Sequence, residues 1–455
     1  MSRELIIGIS GLRGIPAENL TAKAAEDYGR AFGVFLKESG VREGRVGVCI
    51  GRDSRTSGPM LRSAVTSGLC SVGVSVVDLG IVSTPGVSIM TKELDCAGGV
   101  VITASHNPIE YNGIKLLLGS GMAPPREAAE RIKQIYLNDE FDSFQKSGQG
   151  GRSKNDHTDE IHIKKVLGII DRVSIARCGF KVVLDSVNGA GGRVAKKLLA
   201  ELGCEVIAIN DKPTGIFAHE PEPLRQNLGQ LCEEVKKNGA DVGFAQDPDA
   251  DRLAIVDENG SYIGEEYTLA LAAKYVLSER PGRVATNLST SRMIDDIAGP
   301  GSVIRTAVGE VNVAEAMLKN DCVIGGEGNG GVIDVRIGPV RDSLAAMGFV
   351  LQLMARERLS ISELVAGIPA YHMVKEKFTI EGDLAEKMLD EAGKVFSDAR
   401  VDRSDGVRFD FSEGWLHLRR SNTEPIMRAI AEAEIADKAR GYIDMVLKIR
   451  DKVMG

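Results

Sequence analysis

No stretch of this chain approaches the ~18 to 20 consecutive apolar residues that a membrane-spanning helix needs. No membrane partner is expected. The apolar run at 5–9 is too short for a signal peptide and leads into glycines and Arg13; the expected location is cytoplasmic. Basic charge is not in excess either. Lys and Arg number 56 against 64 Asp and Glu, a net of −8, which excludes a globally basic nucleic-acid binder. An anionic ligand would meet a local cationic site instead of a cationic surface. Cysteine is scarce and unpatterned. Cys49, Cys70, Cys96, Cys178, Cys204, Cys232 and Cys322 form no CxxC, and their number is odd. They read as reduced thiols in apolar strands and helices, not as a zinc site or a disulfide framework.

What the chain does have is an α/β alternation. Its 455 residues correspond to about three domains at roughly 150 residues each. β-branched apolar runs alternate with amphipathic stretches, the pattern of parallel βαβ units. The first long helix is predicted over 21–39, with Thr21 as N-cap and Gly40 as its stop. Three segments repeat approximately. Each opens with a basic residue and a strand, at Arg45, Lys181 and Arg283. A second strand follows at 74–80, 205–210 and 302–309, and a third at 96–107, 240–252 and 321–331. The third strand of each copy runs into an unusual polar loop, the place where ligands meet an open parallel sheet.

After about residue 370 the pattern changes. Residues 407–411 and 415–419 alternate around a turn like a hairpin, and another strand and a helix near 435–453 follow. The expected fold is three tandem related α/β domains with mixed or parallel sheets, plus a smaller C-terminal α+β domain, all around one central cleft. The expected divisions are 1–152, 153–257, 258–370 and 371–455. Residues 138–160 read as a linker, and 257–261 as an Asn-Gly turn between copies.

Four loops carry chemistry. Thr103-Ala104-Ser105-His106-Asn107-Pro108, followed by Tyr111-Asn112-Gly113 and Lys115, places a serine on an exposed turn near backbone N–H groups. In an extended backbone the neighbouring side chains of Ser105 and His106 diverge, so a hydrolase-type Ser-His pair is not expected. Alone, the segment also reads as an Asn-Pro turn with a capping serine. Asp247-Pro248-Asp249-Ala250-Asp251-Arg252 puts three carboxylates at alternate positions. In a straight strand they would span roughly 13 Å, so the backbone must curl if one Mg²⁺ is to meet all three. No histidine or cysteine is near, which disfavours zinc. The alternative is a solvated acidic turn.

Gly326-Glu327-Gly328-Asn329-Gly330-Gly331 matches GxGxxG by letter, but a strand-like run at 332–337 follows where a dinucleotide site needs a helix. Glu327 and Asn329 suit hydroxyl recognition, against the plainer reading of a glycine-rich turn. Arg419-Arg420-Ser421-Asn422-Thr423-Glu424-Pro425, with Arg428 beyond, has the donors of a phosphate cradle or of a polar hairpin.

In this order, TASHNP with YNGxK, DxDxDR, the Gly-Glu loop and RxSNTEP resemble the α-D-phosphohexomutases, the phosphoglucomutases, phosphomannomutases and phosphoglucosamine mutases. The resemblance spans the whole chain. It implies that Ser105 carries the transferable phosphoryl group. It implies one Mg²⁺ per chain on Ser105, Asp247, Asp249 and Asp251. Arg13, His106, Lys115 and Arg252 match positions around the transferring phosphate. Glu327 and Asn329 match the sugar loop, and Arg419, Ser421, Asn422 and Thr423 match the phosphate-gripping loop, with Arg428 beside it. A hexose 1,6-bisphosphate activator and sugar-phosphate substrates follow from the same resemblance, in a monomer or homodimer.

Two departures bear on the sugar. Asn329 stands where serine is usual and Gly331 where histidine is usual, and Val308-Gly309-Glu310 lacks the Gly-His pair of many glucose and mannose enzymes. An acidic residue there is more like the phosphoglucosamine mutases. Glu310 or Glu327 is the expected carboxylate for an ammonium at C2, with glucose or mannose phosphate as the alternative. A Mg²⁺-dependent sugar phosphatase and a non-catalytic sugar-phosphate sensor are the rival classes.

Overall fold

The computed structural model describes residues 5–8, 11–40, 47–141, 150–420 and 426–455. Its first sheet contains β1 (Ile6–Gly8), β2 (Gly11–Gly14), β3 (Val48–Arg52), β4 (Val76–Ile81), β5 (Gly98–Ile102), β6 (Asn112–Leu118) and β7 (Arg152–Lys154), in the order β1-β2-β6-β5-β3-β4-β7. The second contains β8 (Lys181–Asp185), β9 (Glu205–Ile209), β10 (Val242–Gln246) and β11 (Leu253–Val256), ordered β11-β10-β8-β9. The third contains β12 (Val284–Asn287), β13 (Val303–Thr306), β14 (Ile324–Glu327) and β15 (Gly331–Ile333), ordered β13-β12-β14-β15.

The three repeats are therefore real and share one topology. In each, the first strand lies between the second and third, all parallel. A fourth strand, anticipated only in the third repeat as the strand-like run at 332–337, then returns antiparallel beside the third. Residues of β5, β10 and β14 are buried along their whole length, as expected for strands covered on both faces. The connection from third to fourth strand leaves the ladder at the carboxyl edge of the sheet, where its backbone groups must find partners of their own. Those connections are the serine, aspartate and glycine loops. The strand-like run at 332–337 is shorter than expected, ending at Ile333.

Local signals hold at the first helix. It spans Ala22–Glu38, Thr21 accepts the Ala24 N–H, and Gly40 has φ +72°. The linker does more than connect. Residues Arg152–Lys154 form β7 and pair with β4, so the division expected at 152/153 falls inside a strand. Residues 142–149 of that linker, and Arg45, lie outside the described residues.

The last sheet is wholly antiparallel: β16 (His372–Thr379), β17 (Arg400–Asp402), β18 (Val407–Asp410), β19 (Gly414–Arg420) and β20 (Ile426–Ala433), ordered β16-β20-β19-β18-β17. The helix Ala436–Met454 covers it. One continuous apolar core joins the second and third repeats through the helices Glu266–Glu279 and Ser343–Glu357. The first repeat and the C-terminal unit have cores of their own. The C-terminal unit meets the third repeat largely through polar contacts. Arg292 donates to the Phe411 and Gly414 carbonyls, and Ser289 Oγ lies 2.9 Å from His417 Nδ1. Among the described residues, no helix is long and apolar enough to cross a membrane.

Candidate active site

Ser105 sits in the connection between β5 and β6 and is 4% exposed, so it is not the exposed serine that the sequence suggested. Its φ is +51°, a costly conformation for a residue with a side chain. That geometry corrects a second expectation. The backbone is not extended, and Ser105 Oγ comes within 3.3 Å of His106 Nδ1. Ser105 Oγ also donates to Asp247 Oδ2 at 2.9 Å.

What holds the strained turn is a residue the sequence reading passed over. Arg55, fully buried, donates to the carbonyls of Ser105, Asn107, Pro108 and Tyr111 and pairs with Asp53 at 3.0 Å. Thr103 Oγ1 donates to the same Asp53 carboxylate and accepts the Ser105 N–H. Arg55 follows the carboxyl end of β3, the first strand of its copy, and that placement was the available signal.

The aspartate loop curls as the metal argument required. Ala250 has φ +55°, and its N–H bonds back to the Asp247 carbonyl at 3.0 Å. Oxygens of Asp247, Asp249 and Asp251 consequently lie within 4.8 Å of one another, all three residues buried. Neighbouring repeats clamp the loop. From the first, Thr84 Oγ1 donates to Asp249 Oδ2 at 2.6 Å. From the third, Ser343 Oγ donates to the Ala250 carbonyl and Arg341 to Asp251 Oδ2, at 2.7 and 2.6 Å.

Burial, then the neighbouring carboxylates, pushes the Asp247 carboxyl well above its usual range. Burial opposes ionisation of Asp249 too, but the Lys115 ammonium holds that carboxyl low. Lys115 reaches it from β6 at 2.7 Å and lies 3.9 Å from Asp251. Among the described residues, Asp249 Oδ1 and Asp251 Oδ1 are buried without a hydrogen-bond partner. Three clustered carboxylates, two of them with an orphaned oxygen, and no nitrogen or sulfur ligand among them, fit a hard divalent cation such as Mg²⁺.

A cavity of about 560 Å³ runs from this centre to the C-terminal unit. Arg13, His106 and Arg252 line one part, Glu327 and Asn329 another, and Arg419 and Arg428 a third. Arg13 is on β2, opposite Gly113. Burial, then the charges of Arg252 and Arg13, holds the His106 imidazole neutral well below its ordinary range. Arg252 Nη1 lies 3.6 Å from Glu222, as His106 Nε2 does at 3.7 Å. Among the described residues, Asn329 Oδ1 is buried without a hydrogen-bond partner. Arg419 pairs with Asp405 at 3.2 Å. Ser421, Asn422 and Thr423 lie outside the described residues.

The expectation that Glu310 or Glu327 is available to an ammonium is overturned. Both are engaged by Arg341, which the sequence reading also passed over. Its Nε lies 3.1 Å from Glu310, and its Nη1 donates to Glu327 Oε2 at 2.7 Å. Glu327 Oε1 accepts from Asn287 and from the Gly309 N–H. Arg341 stands immediately before Asp342, the N-cap of the helix Ser343–Glu357, so the capping pattern marked the spot but not its partners. The glycine loop itself is the turn between β14 and β15. A Cβ at Gly330 would stand 2.5 Å from the Leu253 carbonyl oxygen, so these glycines serve close backbone packing, not a dinucleotide.

Comparison with known proteins agrees with this architecture. The profiles described as phosphoglucomutase/phosphomannomutase alpha/beta/alpha domains I, II and III match residues 4–143, 160–260 and 264–371. The C-terminal domain profile matches 374–449. A protein of Thermococcus kodakarensis named phosphoglucomutase/phosphomannomutase is 40% identical over 99% of both chains. A probable phosphoglucosamine mutase of Methanopyrus kandleri is 38% identical over 98% of both. The crystal structure of a phosphoglucomutase/phosphomannomutase family protein from Burkholderia thailandensis superposes with a TM-score of 0.85 at 27% identity, covering 98% of this chain and 97% of that one. With four matching domains in order and relatives aligned end to end, the chain belongs to the phosphoglucomutase/phosphomannomutase family, the phosphohexomutase isomerases.

Proposed function

We propose that the chain interconverts hexose 6-phosphate and hexose 1-phosphate through a phosphoserine at Ser105 and a hexose 1,6-bisphosphate, with glucosamine phosphate as the preferred substrate. The observation that carries this reading is Ser105 Oγ, 2.9 Å from Asp247 of the three-carboxylate cluster and next to His106, which lines a cleft that also carries Arg419 and Arg428. A hydrolase has no use for that second cationic group.

In this reading the monophosphate is gripped by Arg419, Ser421, Asn422, Thr423 and Arg428, and its free hydroxyl reaches the phosphoryl group on Ser105. Asp247, Asp249, Asp251 and an oxygen on Ser105 would hold one Mg²⁺, which when bound would offset negative charge on the phosphoryl group. Arg13, Arg252 and Lys115 add cationic stabilisation around the same group. The neutral His106 is positioned to take the proton from the attacking hydroxyl. Asn329, with an unpartnered buried oxygen, meets the sugar hydroxyls, and Glu327 fixes the loop that carries it. The bisphosphate then turns over within the cleft and returns its other phosphate to Ser105. Four units divided near 152, 257 and 370 give the cleft walls that can close and exclude water.

The same mechanism on glucose or mannose phosphate is the second reading, favoured by the name of the Thermococcus kodakarensis relative. Phosphorus NMR with Mg²⁺ and a trace of bisphosphate, run on glucosamine, glucose and mannose monophosphates, tests both. Higher kcat/KM on glucosamine phosphate supports the first, and preference for a neutral sugar supports the second. Release of inorganic phosphate without isomerisation would sink both.

A further inference from the structure

The cleft carries both cationic and acidic side chains. Arg13 and Arg252 stand at the serine end and Arg419 and Arg428 at the other, while Glu222, Glu265, Glu266 and Glu327 line the wall. Three of these carboxylates already face cations. Glu327 is held by Arg341, Glu265 by Lys375 at 2.6 Å, and Glu222 lies beside Arg252. Glu310 is paired with Arg341 as well.

Glu266 differs. Among the described residues it accepts one hydrogen bond, from the Ser291 N–H to Oε2 at 3.0 Å, and no ion pair reaches it. Its position depends on Gly328. A Cβ there would stand 2.0 Å from Glu266 Oε2 and 2.3 Å from its carboxyl carbon, so the missing side chain is what admits the carboxylate to the sugar loop. Burial lifts the Glu266 carboxyl to about 8, with the Lys375 charge only partly opposing it. A carboxyl group kept this short of positive charge is matched by a ligand that brings its own. A neutral hydroxyl supplies none.

We propose that Glu266, admitted to the sugar loop by Gly328, receives the C2 ammonium of an amino-hexose phosphate, and that this pair sets the sugar specificity of the cleft. The inference rests on the mutase reading and deepens it. A phosphate at each end and an ammonium between them is the charge pattern of a hexosamine 1,6-bisphosphate, the intermediate of that reading.

The test is the ratio of kcat/KM on glucosamine 6-phosphate to that on glucose 6-phosphate, in the wild type, Glu266→Gln and Gly328→Ala. The wild type is expected to favour glucosamine phosphate. Glu266→Gln is expected to lower the ratio by about tenfold or more, as for loss of one charged hydrogen-bond partner. Gly328→Ala, which displaces the carboxylate, is expected to lower it in the same direction. Because a fold defect lowers both substrates together, calorimetric Kd values for the two monophosphates in a Ser105→Ala background give the same comparison without turnover. A preference unchanged by both variants, in turnover and in Kd, overturns the assignment and leaves the mutase reading intact. So does a wild type that prefers glucose phosphate. A wild type that isomerises neither sugar overturns the reading and the inference with it.

Discussion

Arg55 and Arg419 each support one end of the cleft, and they do so differently. Arg55 is fully buried, donates to four carbonyls of the serine loop and pairs with Asp53. Arg419 keeps 13% of its side chain exposed, lines the cavity and meets Asp405 at 3.2 Å. The reacting end is built from the inside, with non-glycine residues held at positive φ by interior hydrogen bonds and clamped from three repeats. The gripping end belongs to a unit with its own core, joined to the third repeat by polar contacts. The difference is what the proposed function would require: a phosphoryl transfer needs its nucleophile placed within a fraction of an ångström, whereas a non-reacting phosphate needs only strong, directional donors.

The comparison can be broken most severely at the serine. Ser105→Ala should lower mutase turnover by more than about 10³-fold and abolish label transfer from bisphosphate to protein, while the unfolding midpoint stays close to wild type. Retained label transfer would move the carrier to another residue. Next comes its buried support. Arg55→Met should lower kcat by about 10²-fold through misplacement of Ser105. It should also cost about 3–5 kcal/mol of stability in denaturant unfolding, since Asp53 is left charged and unpaired. Arg55→Lys should not restore kcat, because an ammonium cannot fork to four carbonyls. Wild-type kcat in Arg55→Met would show that the turn holds without its interior anchor.

Between the two ends lies His417, buried against Ser289 and the Asp405 carbonyl. Burial lowers its pKa to about 4 from 6.5. The unfolded chain therefore binds a proton near pH 6.5 that the folded chain refuses until about 4. Stability is full above 6.5 and is lost as pH falls through that window, by a total of about 3 kcal/mol. Calorimetric melting between pH 4 and 7 should show a steeper acid decline in the wild type than in His417→Gln. Parallel declines would mean that the carboxylates alone set the acid limb.

The same contrast explains what could be read from sequence. The repeats, the curl of the aspartate loop and the helix capped by Thr21 rest on local periodicity and spacing, and they are legible for that reason. So are Ser105, Lys115 and the three aspartates, which the topology brings together from motifs at matching strand ends. Arg55, Thr84 and Arg341 were not legible, because each acts on groups far away in the chain. Arg341 is 90 residues from Asp251, and Thr84 is 165 from Asp249. Glu310 and Glu327 were misread for the same reason: a carboxylate shows its charge in sequence but not the guanidinium that already neutralises it. The closeness of Ser105 to His106 depends on one positive φ, which no residue type at that position announces.

The smallest expected effect separates the grip from the chemistry most cleanly. Asp405 Oδ2 meets Arg419 Nε at 3.2 Å and accepts the Val308 N–H at 3.0 Å, while the next residue, Gly309, donates its N–H to Glu327. One carboxylate thus meets a guanidinium that lines the cleft and anchors the end of β13, next to the residue that bonds Glu327 of the glycine loop. Asp405→Ala removes both contacts without touching the serine or the aspartates. The KM for monophosphate should rise about tenfold, and kcat should change by less than about threefold, the signature of lost uniform binding. A fall in kcat of the same size as the rise in KM would mean that the grip also positions the reacting hydroxyl, and the two ends would then be one mechanical unit. An unchanged KM would show that Arg419 holds its orientation without Asp405, and the polar joint between the third repeat and the C-terminal unit would serve assembly alone.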